Sequence, residues 1–74
     1  MKILLNWTSP AIVDFHVGKQ TNLIVEADEP PLSKLDNYKE YIKHHDHLKG
    51  NRWSIVLSPT IPEKIKMLIM LQFS

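Results

Sequence analysis

Four histidines and two hydroxyl-bearing segments are the residues of this chain with chemistry to offer. His44, His45 and His47 surround Asp46. Imidazoles three apart on a helix, as His44 and His47 would be, can reach one metal ion from a shared face. The sequence carries no third ligand at a matching spacing. The cluster therefore reads as a solvated helix end, with His45 packed inward, and no metal or other cofactor is expected. His16 lies two residues after Asp14, a pair that would suit acid–base cleavage of a phosphodiester. The two share a side only on a strand, and no nucleophile accompanies them.

Asn6-Trp7-Thr8-Ser9 and Ser58-Pro59-Thr60 each follow an apolar run. Neutral amides and hydroxyls of this kind hydrogen-bond phosphate or ribose, together with backbone N–H groups. The same residue types also make ordinary caps and turns. Arg52 or Lys19 would add positive charge. Trp7, Trp53, Tyr38, Tyr41, Phe15 and Phe73 have the faces on which bases stack. Core packing accounts for most of them, with Trp7, at a strand's polar end, the exception. With only 2 glycines, the chain has no Gly-rich phosphate loop.

These groups need elements to hold them. Lys2–Trp7, Asn22–Ala27 and Arg52–Ser58 each hold three consecutive apolar residues, the pattern of a strand covered on both faces. Ser33–Leu48 reads as a helix. Ser33 caps it, Leu35, Tyr38, Ile42 and His45 follow 3- and 4-residue spacing, and Gly50 stops it. Lys64–Phe73 reads as a second helix, opened by Thr60-Ile61-Pro62-Glu63 and apolar on nearly every side. Ala11–Val17 stays open. Ser9-Pro10 could start a short helix there. The β-branched residues and the Val13, Phe15, Val17 alternation equally fit a strand, with Gly18–Thr21 as a hairpin loop. Strands alternating with helices predict a single α/β domain over 1–74: a small, mainly parallel Rossmann-like sheet of three strands, or four, with two to three helices.

Composition bounds the rest. The chain has 74 residues, 9 Lys+Arg, 8 Asp+Glu, a net charge of +1, no cysteine and 43% hydrophobic residues. That excludes a second core, a disulfide framework, a zinc ribbon and a disordered tail. It argues against a strongly basic coat for duplex nucleic acid. The apolar run at Ile3–Leu5 is short of the roughly 7–15 residues of a secretory signal. Met67–Leu71 is short of the roughly 20 that span a bilayer. The expectation is a soluble, cytoplasmic protein without a membrane partner. The tail, with Ile65, Leu68, Ile69 and Phe73, is more apolar than so small a chain covers comfortably. A homo-oligomer interface on those four residues is the expected solution.

KILLNWTSP, and later SIVLSPTIP, resemble segments of small CRISPR-associated Rossmann-like accessory proteins of type III systems. The two segments cover about 20 of 74 residues. The resemblance implies a dimer in antiviral defence that binds a cyclic oligoadenylate, with Asn6, Thr8 and Ser9 near the ligand. This chain lacks a histidine after Thr8 and is shorter than that pattern.

Three functions follow. The first is a non-catalytic module that binds or sequesters a cyclic oligonucleotide across an oligomer interface. It would use Asn6, Trp7, Thr8, Ser9, Ser58, Pro59, Thr60 and Arg52 at strand C-terminal ends. The second is a protein–protein interaction module, such as a small phage-type inhibitor of a host complex. The third is a phosphodiesterase of ring-nuclease type with His16 as acid–base.

Overall fold

The computed structural model describes residues 2–73. Lys2–Val13 forms strand β1, His16–Glu26 β2, Ile42–His47 β3 and Arg52–Leu57 β4, and Glu63–Leu71 forms the helix α1. Two 3-10 turns, Pro31–Lys34 and Asp36–Tyr41, link β2 to β3. The strands make one sheet in the order β1-β2-β4-β3, and each neighbouring pair is antiparallel.

This corrects the expected parallel, Rossmann-like α/β fold. The apolar runs of β2 and β4 had suggested strands covered on both faces. Leu23, Val25, Ile55 and Leu57 are fully buried on the face that α1 covers, whereas Ile24 and Val56 between them are only half-buried. One face is therefore core, and the other is a partly apolar, uncovered surface, which antiparallel sheets allow.

β1 and β2 form one long hairpin, in register from Lys2 opposite Glu26 to Val13 opposite His16, with a bulge between Ile3 and Leu5. Asp14 and Phe15 turn it, with φ of 49° and 68°. Two left-handed central residues mark the primed turn whose twist suits a two-residue hairpin loop. The open segment Ala11–Val17 is thus a strand end, a turn and a strand start. The loop expected at Gly18–Thr21 lies inside β2 instead. Pro10 opens no helix. It sits in an edge strand, the place in a sheet that tolerates a missing N–H.

The helix expected over Ser33–Leu48 is also corrected. The spacing of Leu35, Tyr38 and Ile42 does bring all three to the core, but through 3-10 turns. From Ile42 the chain extends because the free edge of β4 offers a ladder. Ile42 pairs with Leu57, His45 with Ile55 and His47 with Trp53. Gly50, with φ of 72°, turns β3 into β4, a conformation only glycine enters without strain. The second expected helix is present as α1. It delivers Ile69, and just beyond its end Phe73, onto Leu23, Val25, Leu35, Ile55 and Leu57. No helix among the described residues is long and apolar enough to cross a membrane.

Candidate functional site

β2 pairs with β4 only over Asn22–Glu26. The rest of β2, His16–Thr21, is paired to β1 alone and forms with it a two-stranded arm. Twelve residues of β1 span about 40 Å at 3.3–3.4 Å each, matching the longest dimension of the molecule, 38 Å. The arm tip and the start of β1 are thus opposite ends of the protein.

The tip is apolar and bare. Phe15 is fully exposed, Ile12 is 74% and Val17 78% exposed, and Ile12 and Val17 form a cross-strand pair. By two-residue alternation along β2, that pair falls on the helix-covered face of the sheet. At the opposite end, Ile3, Met67, Met70 and Leu71 line an open, almost wholly apolar groove of about 350 Å³ between β1 and α1. Leu4, Leu5 and Trp7 are exposed between the two ends. Among the described residues, every exposed large apolar side chain except Leu48 lies on β1, its turn, the start of β2 or α1.

The residues expected to bind a ligand are split by the fold. Asn6, Trp7, Thr8 and Ser9 lie mid-strand in β1, where side chains alternate between faces. Ser9 faces β2 residues of the uncovered side and accepts hydrogen bonds from Asn22 Nδ2 (2.7 Å) and Gln20 Nε2 (3.3 Å). Thr8 falls on the other side. There it lines a hollow of about 250 Å³ with Lys19, Thr21, Pro59, Ile61, Glu63 and Lys66. Thr8 and Pro59, from the two expected segments, do meet. Ser58 Oγ is tied to the Thr60 hydroxyl (2.8 Å) and accepts from the Thr60 N–H (3.2 Å), so this pair closes its own turn. Lys66 Nζ reaches Glu63 Oε1 at 3.0 Å. Arg52 lies opposite Glu26 at the far end of β4, away from the hollow. An antiparallel sheet has no common C-terminal edge, so a ligand site built on such an edge has no counterpart here.

The tail residues divide in the same way. Ile69 and Phe73 are fully buried in the chain's own core, and Ile65 and Leu68 are half-buried. Neither Ile69 nor Phe73 has surface left for a second copy. Met67 and Leu71 are the exposed apolar residues of α1.

His44 and His47 serve the β3 hairpin, and His45, expected to pack inward, is exposed. His44 Nε2 is 2.7 Å from Asp46 Oδ2, and the His47 ring stacks on Trp53 with centroids 4.1 Å apart. His47 Nε2 reaches the Gly50 carbonyl at 2.6 Å. No group of three metal-ligating side chains occurs among the described residues. Asp14 sits in the arm turn, and His16 follows at the start of β2 in an exposed position.

The chain matches no protein-family model, and no curated protein or solved structure matches it either.

The sequence leaves Ala11–Val17 open between a short helix and a strand, and the strand alternative puts the hairpin loop at Gly18–Thr21. The actual turn, Asp14-Phe15, has none of the glycine or asparagine that marks a primed turn.

Proposed function

We propose that this protein is a non-catalytic protein-binding module whose working surface is the β1–β2 arm and the apolar strip continuing from it. One observation carries this reading. Ile12, Phe15 and Val17 crowd the tip of a regular hairpin and stand open to water. Monomeric proteins rarely leave such residues contiguous and bare unless something binds there. The arm presents them already ordered, which lowers the entropic cost of association. A photoreactive residue in place of Phe15 tests this in cells that make the protein. The expected result is cross-linking to one discrete polypeptide species. Labelling spread over many species, or none, would remove the reading.

A second reading rests on the hollow beside the arm. Lys19, Lys66, Thr8 and Thr21 converge there, with Glu63 offsetting one of the two cations. Cations and hydroxyls together suit an anionic ligand, of which a cyclic oligoadenylate is one. Thermal shift with cyclic oligoadenylates checks it. A rise in melting temperature for the native chain, lost in Lys19→Ala, is the expected outcome.

A further inference from the structure

We infer that the partner on the apolar strip is a second copy of this chain, lying antiparallel along β1 so that each arm tip covers the other copy's groove. This rests on the protein-binding reading above and names its partner.

The inference follows from how one molecule is laid out. A knob, Ile12 with Val17, and a groove, bounded by Ile3, Met67 and Leu71, lie at opposite ends of the same edge strand. Ile3 and Ile12 stand about 30 Å apart along β1 at 3.3–3.4 Å per residue. A copy turned by a two-fold axis perpendicular to the sheet, and set beside β1, therefore places its knob at this groove and its groove at this knob. The axis also keeps the helix-bearing faces on one side. Ile12 and Val17 share that face with α1, so knob and groove meet at the same level. An axis beside Thr8 pairs that residue with its own copy and sets Ile12 against the partner's bulge at Ile3–Leu5. Exposed Leu5 and Trp7 then meet the second copy on the uncovered face.

Two further features agree. The outer edge of β1 is a row of unpaired backbone groups that a second strand can join. Pro10 offers no N–H, which limits the ladder and leaves the side chains to select the register. The molecule also has surface to spare. A compact monomer of 8.6 kDa would expose about 4,700 Å², and this one exposes 5118 Å². A stable interface needs about 800 Å² from each partner, the scale of a strip running the whole edge. The contact is isologous and closes at two copies.

The native sequence has no cysteine, so single engineered thiols report proximity cleanly. Ile12→Cys mixed with Met67→Cys under mild oxidation should give a disulfide-linked heterodimer, because the proposed contact seats Ile12 of one copy in the groove that Met67 of the other lines. Light scattering of the native chain should give twice 8.6 kDa. Ile12→Asp and Met67→Asp, both at exposed positions, should keep the circular dichroism of the native fold and raise the dimer dissociation constant at least tenfold. Mixing them should recover part of the association, since one native knob-and-groove pair survives in the mixed dimer. A mass of 8.6 kDa at all concentrations with the fold intact overturns the inference, as does faster cross-linking of Ile12→Cys with itself than in the mixture. A mass that grows without limit also overturns it, pointing to an open chain. Failure here combined with a Phe15 cross-link to a different polypeptide would remove the second copy and leave the protein-binding reading standing.

Discussion

At the scale of single residues, Phe15 shows stability and function pulling apart. It holds φ of 68° beside Asp14 at 49°, a region that costs a bulky L-residue about 1–2 kcal/mol. Its ring meets water on all sides. Nothing within the monomer returns that cost. Phe15→Gly should therefore raise the melting temperature of dilute protein by roughly 4–8 °C for each kcal/mol recovered, and at the same time weaken association. Phe73 is the opposite case. It is buried against Leu23, Leu35 and Ile69, and Phe73→Ala should cost about 3–5 kcal/mol. That is a large share of the roughly 5–15 kcal/mol holding a domain together, and a urea titration followed by tryptophan fluorescence should show the midpoint collapse.

At the scale of elements, α1 and the arm make opposite contributions. Truncation after Lys66 removes Ile69 and Phe73, both core residues. The truncated chain should lose cooperative unfolding by circular dichroism. Replacing Pro10–Lys19 with a two-residue Asn-Gly turn removes none of the buried core. That chain should still unfold cooperatively, and it should be monomeric. Element by element, the sequence was legible where local pattern and tertiary demand agree. β4 begins at Arg52 as read from RWSIVLS, and the helix read from Lys64 is present as α1 from Glu63, with Pro62 rather than Thr60 at its N-cap. Ser33–Leu48 was misread because its helical spacing is local, while the extension of Ile42–His47 answers to β4, a strand that follows it in the chain. A residue's neighbours in sequence do not record which sheet edge stands open.

At the scale of the whole molecule, the strip along β1 predicts that stability depends on concentration. Binding that favours the folded state raises the melting temperature by mass action. Thermal scans over a hundredfold range of concentration should show the native chain's midpoint rising, and the Met67→Asp midpoint staying level. The sequence by itself determined that Leu23–Val25 and Ile55–Leu57 lie in strands and that the segment after Pro62 is helical. These follow from contacts close along the chain. Only the tertiary structure decided the direction of the strands, because antiparallel and parallel partners can show the same apolar runs. It also decided which apolar residues remain outside. Ile69 and Phe73 turn inward while Met67, Leu71 and the arm tip face out, since that division depends on how α1 is rotated over the sheet. Asn6–Ser9 were one candidate segment in sequence, and strand alternation separated them onto two faces.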